Sequence, residues 1–233
     1  MPETGAQARS DGGLQDRGLE DRGVADSVPE AAADSEAAAD SETGAEAGRA
    51  ESGATTGPPG IVELIRDVPD FPKPGVGFKD ISPLLASPSG FAAAIEAMVA
   101  LSPRDVDVVL GMEARGFIFG APVALALGAG FVPVRKPGKL PCATRSESYE
   151  LEYGSNTLAV HADAFPRGAR VLIVDDVLAT GGTIMATAGL IRQLGGHLVQ
   201  ATVLMELAFL DGRAHLRGHG IERVQTVVTF GRP

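Results

Sequence analysis

Residues 171–187, VLIVDDVLATGGTIMAT, carry the strongest chemical signal in the chain. Val171 to Val174 read as a buried strand, Asp175 and Asp176 close it, and ATGGT leads into a helical pattern. A loop with consecutive glycines can turn its backbone N–H groups around an anion, and the positive end of the following helix adds to that attraction. Thr180 and Thr183 supply hydroxyl donors. Adjacent carboxylates would repel the same anion, so they suit neutral hydroxyls such as a ribose diol, or a cation. The plain alternative is a glycine-rich turn with capping Asp and Thr. Neither GxxxxGK[ST] nor a strand-following GxGxxG is present, which removes the commonest nucleotide loops.

Chemistry of this kind needs strands that end together. VDVVLGMEARG reads as a buried strand feeding a loop, FIFGAPVALALG as a helix stopped by Gly128, and FVPV as a short strand. RVLIVDD is the clearest buried strand, LIRQLGG ends a helix at Gly195, and ATVLMEL and VQTVVTF are further strands. Apolar strands alternating with helices predict an α/β fold, a parallel sheet with helices on both faces. Ligands in open sheets of this kind lie beyond the carboxyl ends of the strands, here the loops after Leu110, Val134 and Val174. Upstream, Ile61, Leu64 and Ile65 make a short helical face closed by VPDFPKPG. Ser87-Pro88 then opens a helix with Phe91, Ile95, Met98 and Val99 as its buried face. The polar stretch from Arg135 to Ala162 reads as a mobile flap containing a hairpin.

Charge divides the chain of 233 residues at Pro58. Residues 1–58 hold 13 of the 30 acidic side chains, 4 arginines and no aromatic residue, so nearly all of the net charge of −10 belongs to them. Without large apolar groups this segment cannot offset a backbone entropy of roughly 1–2 kcal/mol per residue and reads as a disordered acidic leader, with a partner-binding tail as the other reading. Residues 59–233 make one domain. The single Cys142 excludes an internal disulfide framework and a Cys-rich zinc site. Ala121 to Val134 is too short and too broken for a membrane span of about 20 residues. A near-neutral body argues against nucleic-acid binding. The expected location is the cytoplasm. His215 and His219 are four apart but flanked by Gly218 and Gly220, so a metal-binding helix face is not expected; His161 and His197 read as surface or structural.

Four separated strings resemble the type I phosphoribosyltransferases, and within that family its adenine-using members: DFPKPGVGFKDISPLL, GMEARGFIFG, RKPGKLP with YELEYG, and VDDVLATGGT. The last is common to the family and names no base; the first and third point to adenine. The resemblance covers nearly all of residues 61–233 and implies that family's fold, with a small N-terminal hood, a flexible flap and a homodimer. It implies purine salvage, with adenine and phosphoribosyl pyrophosphate giving AMP and diphosphate with Mg²⁺ held mainly by the substrate.

By the same resemblance, Ala179, Thr180, Gly181, Gly182 and Thr183 hold the 5′-phosphate, and Asp175 and Asp176 the ribose hydroxyls. Glu113, Ala114, Arg115 and Gly116 form the pyrophosphate loop, with a cis peptide between Glu113 and Ala114 and Arg115 catalytic. Arg135, Lys136 and Lys139 neutralise pyrophosphate, some of them across a dimer interface. Gly77, Phe78, Lys79 and Val177 receive the base; a larger apolar residue is also used where this chain has Gly77. Glu152 exchanges a proton with the purine, with Glu150 its nearest competitor. Two further readings stay open: a transferase for another purine, and a nucleotide-sensing regulator without catalysis.

Overall fold

The computed structural model describes residues 55–150 and 155–231. Thr56, assigned by composition to the leader, exchanges two backbone hydrogen bonds with Thr229 (2.9 and 2.8 Å). Helix α1 (Pro59–Val62) follows, with proline in its first turn where no N–H is needed. Leu64 and Ile65 lie in the turn after it. Strands β1 (Arg66–Val68) and β2 (Phe78–Asp80) pair antiparallel, with Val68 opposite Phe78, and form the small hood. Asp80 Oδ1 accepts from Ser82 N–H (2.8 Å) at the start of α2 (Ser82–Ala86).

Helix α3 (Pro88–Leu101) begins as its sequence predicts, with Ser87 Oγ accepting from Gly90 N–H (3.1 Å). Its deepest residues are Gly90, Ala94 and Met98, while Phe91, Ile95 and Val99 are only partly buried. The predicted face is therefore rotated toward the small side chains, because the helix lies close against Leu64.

Strand β3 (Val108–Met112) leads to α4 (Arg115–Leu127), which ends at left-handed Gly128 and is followed by β4 (Gly130–Val134). A hairpin of β5 (Thr144–Glu150) and β6 (Ser155–His161) comes next. Then follow β7 (Arg170–Leu178), α5 (Gly182–Leu194), β8 (His197–Leu207), a 3-10 turn (Ala208–Leu210), α6 (Gly212–Gly218) and β9 (Val224–Phe230). Helix α6, with β1, β2 and α2, is too short for its periodicity to stand out from the sequence.

Five strands form one parallel sheet in the order β4-β3-β7-β8-β9. Central β7 is covered on both faces, which is why Val171 to Val174 are all apolar and fully buried. Alternation sends Val171 and Ile173 into the core under α5 and the hairpin, and Leu172 and Val174 into the core under α1, α3 and α4. An extra residue in β8 near Val199 shifts the register, Val171 facing Leu198 while Leu172 faces Gln200. Arg135 and Ala159 exchange backbone hydrogen bonds and tie β6 to the end of β4. No helix among the described residues is long and apolar enough to cross a membrane.

Candidate active site

β7 runs three residues beyond Asp175 before its chain turns, so both aspartates are held by strand geometry. Each is almost wholly buried, and Asp176 N–H donates to Asp175 Oδ1 (2.9 Å). Burial raises the Asp175 carboxyl well above the usual range, and the negative charge of Asp176 raises it further. Asp176 is raised by burial as well, against the pull of the Arg115 cation. Asp176 Oδ2 lies 2.7 Å from Arg115 Nε, but off the hydrogen-bonding direction, so this buried oxygen receives no hydrogen bond. It is a buried acceptor left without a donor, against the Arg115 side chain.

The loop Ala179–Thr183 follows. Gly181 has φ +90°, a conformation L side chains rarely adopt, and there the chain enters α5. Thr180 is exposed and Thr183 partly exposed, whereas Gly181 and Gly182 are buried. The loop thus presents a helix N-terminus and threonine hydroxyls beside the two carboxylates, the arrangement its sequence predicts.

Across the carboxyl ends of the strands, β3 delivers Glu113, Ala114 and Arg115, and the Glu113–Ala114 peptide is cis. Arg115 opens α4 and reaches between Asp176 and the hood, its guanidinium carbon 5.4 Å from the Phe78 ring centroid. Glu113 is half-buried, which opposes its charge. Hydrogen bonds from Lys136 N–H (2.9 Å) and from Arg135 Nε and NH2 (3.3 and 3.1 Å) outweigh that and lower its pKa. Arg135 also donates to the Lys139 carbonyl (3.1 Å). In this structure Arg135 therefore braces the loop end of β3, while Lys139 is exposed.

Phe78 is half-buried and meets Phe71 edge-to-face at 5.1 Å. The Lys79 ammonium pairs with Asp67 and lies 4.0 Å over the Phe230 ring, which fixes the side chain away from its own backbone groups. A Cβ at Gly77 would meet nothing within 4 Å, so this glycine is not demanded by packing. Val177 is partly buried on the α3–α4 side of the sheet. Glu150 closes β5, and Glu152 lies outside the described residues.

Sequence reasoning missed two supports of the loop. Tyr149 of β5 is buried over Gly182, with its hydroxyl 3.5 Å from Thr183 Oγ1. Helix α6 packs behind the loop: a Cβ on Gly212 would come within 2.0 Å of the Ala179 carbonyl oxygen, and His215 Nδ1 lies 3.0 Å from the Thr180 carbonyl oxygen. Neither carries a local signal, because each is made across the fold. Among the described residues no group of three or more His, Cys, Asp or Glu could hold a metal, and the His215–His219 pair instead spends both Nδ1 atoms on carbonyls.

The phosphoribosyl transferase domain family matches residues 83–218. The adenine phosphoribosyltransferase of Cutibacterium acnes is 65% identical over 170 residues, 73% of this chain and 96% of that protein. The crystal structure of adenine phosphoribosyltransferase from Thermoanaerobacter pseudethanolicus has a TM-score of 0.69 at 52% identity, covering 73% of this chain and 98% of that one. The Saccharomyces cerevisiae enzyme, solved with an imino-altritol bisphosphate and adenine, has a TM-score of 0.66 at 40% identity, over 72% of this chain and 96% of its own. A strand carrying buried paired aspartates toward its carboxyl end and a glycine loop opening a helix are thus set in a fold and a sequence shared with these enzymes: the chain belongs to the adenine phosphoribosyltransferase family.

Proposed function

We propose that this protein transfers the phosphoribosyl group of phosphoribosyl pyrophosphate to N9 of adenine, giving AMP and diphosphate in purine salvage. The observation that carries the reading within this chain is the buried Asp176 oxygen without a hydrogen-bond donor, on the strand that leads through a glycine turn into the N-terminus of α5. A sugar bearing both hydroxyls and a 5′-phosphate satisfies both at once. The N9 lone pair forms the new bond at C1 as the bond from C1 to the diphosphate oxygen breaks, its electron pair leaving with diphosphate. Positive character on the ribose favours ionised Asp175 and Asp176, and negative character on the leaving group favours Arg115, which passes from Asp176 to the diphosphate.

In this reading Ala179–Thr183 hold the 5′-phosphate, Glu113 and Ala114 shape the pyrophosphate loop, and Lys136, Lys139 and Arg135 surround the diphosphate. Gly77 and Lys79 read the base edge through their backbone, and Phe78 and Val177 lie against its faces. Glu152, or Glu150, takes the N9 proton. Mg²⁺ fits as a substrate-held ion, since the buried aspartate pair alone needs further oxygens to complete a shell. When bound it neutralises charge on the diphosphate. A homodimer is supported by the solvent-facing apolar stripe of Ile118 and Leu125 on α4, Leu125 being 82% exposed. A cytoplasmic location is supported by the charged, phosphorylated substrate.

Incubation of the full chain with phosphoribosyl pyrophosphate, Mg²⁺ and each purine base in turn tests this. Diphosphate is released fastest with adenine, with AMP as the nucleotide product; equal or faster turnover of hypoxanthine or guanine overturns the assignment.

A further inference from the structure

Helix α6 is held firmly behind the loop Ala179–Thr183. Arg213 donates to both oxygens of buried Glu206 on β8 (Nε at 3.0 and 3.1 Å) and through NH1 to the Val224 carbonyl (2.6 Å). Leu216 is fully buried beside Gly181. From this fixed helix His215 Nδ1 comes within 3.0 Å of the Thr180 carbonyl oxygen. A carbonyl only accepts, so Nδ1 carries the proton and donates. The His219 ring meets that of His215 edge-to-face at 4.9 Å, and its own Nδ1 lies 3.0 Å from the His215 carbonyl oxygen.

The Thr180 carbonyl belongs to the same planar peptide unit as the Gly181 N–H, and in a trans unit the two point in opposite directions. Drawing the carbonyl toward α6 therefore aims the Gly181 N–H away from α6, toward the mouth of the loop. At φ +90° Gly181 has little steric preference to hold that plane by itself. We propose that His215 is a positioning residue for the 5′-phosphate: it fixes the Thr180–Gly181 peptide so that the Gly181 N–H faces the anion. The inference rests on the reading of Ala179–Thr183 as the 5′-phosphate site.

The test compares His215→Ala, His215→Asn and Thr183→Ala in the full chain. Asparagine is the informative variant, since its Nδ2 can stand where the histidine Nδ1 stands and donate to the same carbonyl. Losing one hydrogen bond from the support of the loop raises the KM for phosphoribosyl pyrophosphate about three- to tenfold in His215→Ala. The KM for adenine stays within twofold, and His215→Asn recovers most of the loss. If Thr183→Ala weakens phosphoribosyl pyrophosphate but His215→Ala does not, the positioning role is wrong and the 5′-phosphate site stands. Equal changes in both KM values, or a loss of Tm in the alanine variant with no recovery in the asparagine variant, reduce His215 to a structural residue. If neither Thr183→Ala nor His215→Ala alters the KM for phosphoribosyl pyrophosphate, the reading of the loop falls and the inference with it.

Discussion

Two buried carboxylates on consecutive residues oppose one another before any substrate arrives, and Asp175 bears most of the cost. Its pKa is raised on folding, so its ionisation disfavours the folded state: the penalty is absent below the ordinary value of 3.8 and complete once pH exceeds the folded value. Asp175→Asn keeps an oxygen for the Asp176 N–H and removes the charge. Melting at pH 7 should show the variant more stable than wild type, at about 2–4 °C for each kcal/mol relieved, with the two converging below pH 3.8. The same change should lower kcat/KM, because a neutral amide gives less to a ribose becoming positive. A variant neither more stable nor slower would remove the pair from both accounts. Glu152→Gln asks whether that residue moves the proton. A loss on the order of 10²-fold in kcat/KM is expected of a general base, and a change under about threefold would mark a surface glutamate.

At the scale of elements, the loop Ala179–Thr183 depends on what packs behind it. Gly212 begins α6 where no Cβ fits against the Ala179 carbonyl, a backbone group that cannot turn aside. Gly212→Ala should cost about 1–3 kcal/mol, as overpacking does, and should raise the KM for phosphoribosyl pyrophosphate more than that for adenine. Wild-type melting and kinetics would show that α6 yields easily. The hood behaves differently: Gly77 has room for a side chain, consistent with the larger apolar residue the family resemblance allows there.

For the whole molecule, the question is where the acidic leader ends and the fold begins. Composition divides them after Pro58, but Thr56 is already paired with β9 and Gly57 packs against Val227 and Val228. Deleting residues 1–54 should leave Tm and turnover unchanged. Deletion through Pro58 removes two backbone hydrogen bonds from the edge of β9 and should cost about 1–3 kcal/mol. A Tm loss of several degrees already in the shorter deletion would show that the leader contributes to the fold.

The buried strands and the order of βα units were legible in the chain because a parallel sheet covered on both faces demands continuous apolar runs, as in Val171 to Val174. The glycine turn from β7 into α5 and the two aspartates before it were legible for a related reason: strand end, left-handed glycine and helix start are local, within a dozen residues. The tertiary structure alone decided that Arg115 pairs with Asp176, that Arg135 braces Glu113, and that His215 reaches Thr180. Those partners are 61, 22 and 35 residues apart, and their meeting depends on how separate strands end side by side. Local pattern records what a segment can be; which charges face each other is settled only when the sheet closes, by the low-dielectric site that then makes those charges matter.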